Sequence, residues 1–398
     1  MLSINRERLI RDLQELGKIG WVEDKGLFRE AYSPVYIEAR DFIRQRMEEA
    51  GLHSKVDSVG NLFGLLPGRK PDAPRILTGS HLDAVKGGGI YDGAYGVIAS
   101  LEALRSIRES GMELEHGLEV VAFIAEEAGP LGGTFGSRSF TGQMETPPPD
   151  EILQRYGLSR ERIQAAQRPK EAYAAFIEAH IEQGPVLWQE RISIGIPTGI
   201  VGITRYQCRV LGEANHAGTT PMLERKDAFY ETVVLLHRWL DYMRQENDMV
   251  CNVGNFRVLP GQIGIVPGEV EFLIEIRSLE TQKMERAVDK LRQILETAQT
   301  CRAEMVLTIS KPPVELDETL IGIVEDVCCT YHIPTKIMAS GASHDASPLA
   351  RVMPAAMVFV PSVKGISHSK DEYTESEHLC LGAKVLANTI VRIDKHLG

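Results

Sequence analysis

RILTGSHLDAVKGGGIYDGAYGVIASLEALRSIRES (residues 75–110) decides the fold class. A short apolar run, RILTG, meets a glycine-rich turn. The chain then enters GVIASLEALRSIRES (96–110), whose apolar residues recur at helical spacing. Strand, turn and helix in that order form the building block of an α/β sheet. Further apolar runs bounded by turn residues read as buried strands of the same sheet: LEVVAFIAEE (118–127), AAFIEAHIEQG (174–184) and AAMVFVPS (355–362). Upstream, Ser33 to Gly51 reads as a helix. Ser33 suits the N-cap, Pro34 the first turn and Gly51 a left-handed stop, while Tyr36, Ile37, Phe42, Ile43 and Met47 make an apolar stripe.

Between about residues 200 and 313 the rhythm changes. ITRYQCRVLG reads as a strand and DAFYETVVLLHRWLDYMRQE as an amphipathic helix. NVGNFRVLPG and EVEFLIEIRS read as two strands, ETQKMERAVDKLRQILETAQ as a second helix and AEMVLTIS as a last strand. The order β-α-β-β-α-β is that of a ferredoxin-like sandwich, here inserted into the α/β domain. At 398 residues the chain has length for two domains.

With 43% hydrophobic and 25% charged residues, the composition is that of an ordinary globular protein. The formal net charge of -11 argues against nucleic acid or an anionic membrane as the main partner. The opening MLSINRERLIRDLQELGKIG alternates charged and apolar residues and has no uninterrupted apolar core for a secretory signal, so a cytoplasmic location is expected. The six cysteines lack CxxC spacing and read as ordinary packing residues.

Two readings compete for the glycine-rich turn. A phosphate loop needs Lys-Ser/Thr after its glycines, and a dinucleotide site needs GxGxxG; GGGIYDG supplies neither. A metal site fits better. His81 and Asp83 stand two apart just past a strand and can point to one face, where Asp83 can accept a hydrogen bond and orient His81. The adjacent Glu126 and Glu127 close a buried apolar strand, where carboxylates are costly unless a cation or proton compensates. His180 ends AAFIEAH, and His368 lies in GISHS. Ligands of this kind at the strand ends of one open α/β sheet suit zinc, manganese or a similar divalent ion.

Eight quoted stretches carry a resemblance: GSHLDAV (79–85), GGGIYDGAYGV (87–97), AEEAGPLGGTFGSRSFTG (125–142), HIEQGPVL (180–187), GEANHAGTTPM (212–222), PGEVEFLIEIRS (267–278), SGASHDA (340–346) and FVPSVKGISHSKDEYT (359–374). In order and spacing, from about residue 57 to 374, the chain resembles the hydantoinase/carbamoylase branch of the dinuclear-metal aminoacylase and carboxypeptidase superfamily. That branch includes N-carbamoyl-L-amino-acid amidohydrolases, β-ureidopropionases and allantoate amidohydrolases.

The resemblance implies a zinc-peptidase-like α/β catalytic domain with a mixed central sheet, over 1–199 and 314–398. It implies a ferredoxin-like α+β lid and dimerisation domain over 200–313. His81, Asp92, Glu127, His180 and His368 would be metal ligands, with Asp92 bridging two divalent ions, zinc first and manganese, cobalt or nickel as alternatives. Glu126 would be the general base and Asp83 the support of His81. Gln183, Asn215, His216 and Arg277 would contact substrate. His216 would reach the site of the other subunit, which makes a homodimer the expected state. The implied reaction is hydrolysis of a linear amide or ureido bond on a small carboxylate compound. An N-carbamoyl-L-amino acid leads, with allantoate or an N-acyl amino acid behind it and a catalytically silent ligand-binding dimer as the remote alternative. The chain departs from the family's pattern at Gly264, where relatives carry an asparagine, and at Ser343, where they carry glycine.

Overall fold

The computed structural model describes residues 1–398 and divides into two compact units: Met1–Ile200 with Glu315–Gly398, and Val201–Val314.

The first unit is built on a mixed sheet. Its centre is four neighbouring parallel strands in the order Ala355–Val360, Tyr173–Ile181, Arg75–His81 and Leu118–Phe123. All four therefore deliver their C-terminal ends to the same edge. Leu62–Leu66 and His53–Val56 extend one side antiparallel. On the other side Ile194–Ile200 pairs with Ala355–Val360 and carries the parallel strand Thr335–Ser340. The continuous apolar runs are explained by burial. Every residue of Leu118–Phe123 and Ala355–Val360 is buried, as strands covered on both faces require.

Helices Ala94–Glu109 and Ser376–Leu397 pack on each other and on these strands, and the Tyr95 hydroxyl donates to Leu379 O at 2.9 Å. The first of these helices lies so near the sheet that a Cβ on Gly96 would stand 2.4 Å from Ala179 O. The helix read upstream spans Pro34–Glu49. Ser33 Oγ accepts from Tyr36 N at 3.1 Å, and Gly51 takes φ +74.

In the second unit the elements are Gly202–Leu211, helix Ala228–Met243, Met249–Leu259, Glu269–Ser278, helix Thr281–Leu295 and Arg302–Lys311. The antiparallel sheet places Met249–Leu259 at one edge, then Glu269–Ser278, Gly202–Leu211 and Arg302–Lys311. This is the ferredoxin-like order. Val270, Phe272, Ile274 and Ile276 alternate inward and join Trp239, Leu235, Leu291 and Met284 from the two helices in one apolar core. The opposite face of the strand carries Glu269, Glu271 and Glu275, ion-paired to Arg209 and Arg205 of the neighbouring strand.

Candidate metal centre

The C-terminal edge of the parallel strands gathers the site. His81 ends one strand, His180 sits one residue before the end of the next, and Glu126 and Glu127 follow Leu118–Phe123 by three and four residues. Two residues come from elsewhere than the strand ends expected of them. Asp92 stands in the loop that enters helix Ala94–Glu109, and His368 stands in the loop after Ala355–Val360. Topology accounts for both: loops at the C-terminal edge of parallel strands hang over the same crevice as the strand ends.

The two oxygens of Asp92 face different histidines. Oδ1 lies 3.3 Å from His180 Nε2 and 3.7 Å from His81 Nε2, and Oδ2 lies 3.1 Å from His368 Nε2. His368 Nε2 is also 3.6 Å from Glu127 Oε1. Two ligand-capable groups thus share one carboxylate: His81, Asp92 and His180 on one side, and Asp92, Glu127 and His368 on the other. Gln183 Nε2 donates to Asp92 Oδ2 at 2.9 Å.

Backbone carbonyls fix the imidazoles. Asp83 O lies 2.9 Å from His81 Nδ1, and Ile181 O lies 2.8 Å from His180 Nδ1. A carbonyl can only accept, so each Nδ1 carries the proton and each Nε2 lone pair turns toward Asp92. Asp83 therefore supports His81 through its main chain, with its carboxylate 4.0 Å from His81 Nδ1. That carboxylate instead accepts from Glu126 N at 3.2 Å and Glu127 N at 3.1 Å, locking the acidic pair in place.

The glycine run serves this packing. Gly93 takes φ +63, and a Cβ there would lie 2.4 Å from the His81 ring. Gln183 and His368 also hold positive φ, at 58° and 54°, conformations that non-glycine residues adopt at a cost and that cluster at functional sites.

The electrostatics are those of too much negative charge in a dry place. Burial, then Asp345, Glu127, Asp83 and Asp92, push Glu126 well above the usual carboxylate range. Burial, then Asp92, carry Glu127 up to about 8. Burial opposes ionisation of Asp92 as well, but the neighbouring His180 and His368 outweigh it and hold Asp92 well below its ordinary value. Glu127 Oε1 is buried without a hydrogen-bond partner. Crowded carboxylates, an orphaned carboxylate oxygen and imidazole lone pairs aimed inward are what divalent cations would satisfy, so the residues fit such ions.

Sequence reasoning gave no role to Glu372, which lies inside the quoted FVPSVKGISHSKDEYT. Its Oε1 accepts from Tyr91 N and Asp92 N, both at 3.1 Å, and its Oε2 accepts from Ser367 Oγ at 2.7 Å. It ties the Asp92 loop to the His368 loop. Glu178 was missed too. It is fully buried, and accepts from Ser80 Oγ at 2.6 Å and Ala346 N at 2.9 Å behind His180.

Asn215, His216 and Arg277 belong to the second unit. His216 is exposed, and its Nδ1 accepts from Gly218 N at 3.1 Å, which leaves Nε2 as the donor nitrogen. Asn215 Oδ1 accepts from His216 N at 2.8 Å. Arg277 Nε donates to Glu275 Oε1 at 2.8 Å on the sheet face away from the helices. At Gly264 a Cβ would meet nothing within 4 Å.

A mixed sheet whose parallel strands and following loops gather these histidines and carboxylates suits a metal-binding hydrolase. Residues 77–392 match the peptidase family M20/M25/M40. The chain is 34% identical to an N-carbamoyl-L-amino-acid amidohydrolase of Pseudomonas sp. strain NS671, covering 98% of this chain and 99% of that one. It is 33% identical to an allantoate amidohydrolase of Bacillus subtilis, with 96% of each covered. The crystal structure of a hydantoinase/carbamoylase family amidase from Burkholderia multivorans superposes with a TM-score of 0.88 at 32% identity, over 98% of both chains. The chain belongs to the M20/M25/M40 family, in its hydantoinase/carbamoylase amidase branch. No helix is long and apolar enough to cross a membrane.

Proposed function

We propose that the protein hydrolyses the linear ureido C–N bond of an N-carbamoyl-L-amino acid, giving ammonia, carbon dioxide and the free amino acid, in the cytoplasm. The observation that carries the reading is Asp92, whose two oxygens face His180 and His368 separately at 3.3 and 3.1 Å. A carboxylate so placed is suited to bridge two cations. His81 and His180 would complete one set of ligands, Glu127 and His368 the other, with zinc first among the divalent ions that suit nitrogen and oxygen donors. When bound, the ions supply Lewis acidity, lowering the pKa of a water and polarising the scissile carbonyl.

The remaining chemistry falls to side chains. Glu126 is 7% exposed, and its Oε2 lies 3.9 Å from His81 Nε2. It would take a proton from the attacking water and hand it to the leaving nitrogen. Asp83 holds Glu126 by its main-chain N–H. Gln183, already against Asp92, would orient the substrate. Arg277 would receive the substrate carboxylate, and Glu275 steadies its guanidinium for that task. Asn215 would contact the substrate, and the outward Nε2–H of His216 would donate to the developing oxyanion from another subunit.

The second unit (residues 200–313) would act as a lid and pair the subunits. Its helix Ala228–Met243 exposes Tyr230 by 67% and Val233 by 48%, and its edge strand Met249–Leu259 exposes Val250 by 62%. Phe229 and Phe256 join helix and strand with ring centroids 6.5 Å apart. An unpaired strand edge beside an apolar helix suits an isologous dimer.

Allantoate is the second reading, favoured by the Bacillus subtilis relative. Ammonia release from metal-loaded protein, measured on a panel of N-carbamoyl-L-amino acids, allantoate and N-acyl amino acids, tests the assignment. Release from the carbamoyl compounds is expected. Absence of release from every one of them would contradict it.

A further inference from the structure

A cleft of about 630 Å³ opens in the first unit at the edge of the sheet opposite the metal centre. Arg75 and Tyr173, which line it, are the first residues of their strands. His81 closes the strand that Arg75 opens, roughly 20 Å away at about 3.3 Å per residue. The charged groups of the cleft differ in how far they are satisfied. Glu119 is 6% exposed, and accepts from Arg75 Nη1 at 3.1 Å and from the Tyr173 hydroxyl at 2.6 Å. Lys55, Asp72 and Glu171 are exposed, where water and salt screen them. Arg168 is neither paired nor fully solvated. It is half-buried, its main-chain N–H donates to Phe140 O at 2.9 Å, and Pro169 follows it, so the side chain springs from a fixed point. Its guanidinium carbon lies over the Phe63 ring, 5.6 Å from the centroid, and the guanidinium has no hydrogen bond or ion pair.

We propose that this cleft is a second binding site of the protein, for a small organic monocarboxylate with an apolar body. A guanidinium presents a planar fork of donors that matches the two oxygens of a carboxylate, and no protein acceptor takes up the fork of Arg168. Phe63, Leu65, Pro74 and Tyr173 supply carbon surface for the rest of the molecule. The acids in the lining decide against other anions. Glu119, Asp72 and Glu171 would repel a phosphate dianion or a dicarboxylate more strongly than a single carboxylate held on Arg168. The volume lies within the about 300–1,000 Å³ of small-molecule pockets. The proposal is independent of the amidohydrolase reading, since none of these residues belongs to the metal centre.

Benzoate is the probe for calorimetry on the full-length, metal-loaded protein, and 4-bromobenzoate the probe for its crystals. Benzoate should bind more tightly than inorganic phosphate. Arg168→Ala should weaken benzoate at least about tenfold, the loss expected when a charge-assisted pair is removed. Arg168→Lys keeps the charge without the fork and should weaken it less. Arg277→Ala, in the other unit, should leave benzoate affinity unchanged. The anomalous peak of bromine should fall in the cleft beside Arg168. Should Arg168→Ala fold poorly, Arg168→Lys and the bromine peak decide alone. Absence of benzoate binding, equal affinity in wild type and Arg168→Ala, or tighter binding of phosphate would each overturn the proposal. So would a bromine peak confined to the metal centre. A peak in the cleft without binding in calorimetry means binding at crystal concentration only, and overturns it too.

Discussion

Glu126 and Glu127 are neighbours in sequence with different proposed duties, base and ligand, and their surroundings differ accordingly. Glu127 reaches toward His368, and its Oε1 lacks any hydrogen-bond partner. Glu126 is the more deeply set of the two and sits among four other carboxylates. Replacing Glu126 with Gln should keep about two metal ions per chain while kcat falls roughly 10²–10⁴-fold, the range of general acid–base catalysis. Retained turnover in that variant would remove Glu126 from its role. Gly93 answers to packing instead. Gly93→Ala places a methyl against the His81 ring at positive φ, costing about 1–3 kcal/mol of backbone strain before the clash is counted. Metal content below two per chain, read by mass spectrometry of the native protein, is the expected outcome; full loading would contradict the packing account.

At the scale of elements, the parallel strands and the two long helices of the second unit were legible because each satisfies a single local rule. Leu118–Phe123 is apolar but for Glu119 since both of its faces are covered, and Thr281–Leu295 shows a clean apolar stripe. Ser33 as N-cap was equally plain. Ser33→Ala should cost about 1 kcal/mol, visible as a lower denaturant midpoint. The loops around the site were less legible. Glu372 acts on main-chain N–H groups 280 residues away, and no spacing rule reports such a contact. Asp83 likewise trades its carboxylate to the next strand's loop and leaves its carbonyl for His81, an exchange that side-chain identity cannot reveal.

Within the second unit, Glu231 fastens helix Ala228–Met243 to the turn after Thr281–Leu295. It accepts from Gln299 N, Thr300 N and Thr300 Oγ1. Burial would raise its pKa, but these donors outweigh burial and hold it below the ordinary value. A depressed folded-state pKa stabilises the protein above the unfolded value, roughly pH 4.3, and that stabilisation is lost as pH falls through the folded value. Wild type should therefore exceed Glu231→Gln in stability at pH 7. The difference should shrink below about pH 4.3, which paired denaturation curves would reveal. A pH-independent difference would contradict the account.

For the whole molecule, the chain order explains why the first unit's motifs, scattered over residues 79–187 and 340–374, gather at one edge of its sheet. The parallel strands return to a single edge each time, and only loops are left to vary over it. The apolar edge of the second unit sets the expected assembly. Light scattering should give the mass of a dimer, and Val233→Asp with Val250→Asp should give a monomer with its metal retained. If that double variant stays dimeric, the subunits meet elsewhere. The central claim is the shared carboxylate, and anomalous diffraction at the zinc edge from zinc-loaded crystals addresses it most directly. Two peaks are predicted, one among His81, Asp92 and His180 and the other among Asp92, Glu127 and His368. A single peak, or density at Glu178, His180 and His344 instead, would contradict it.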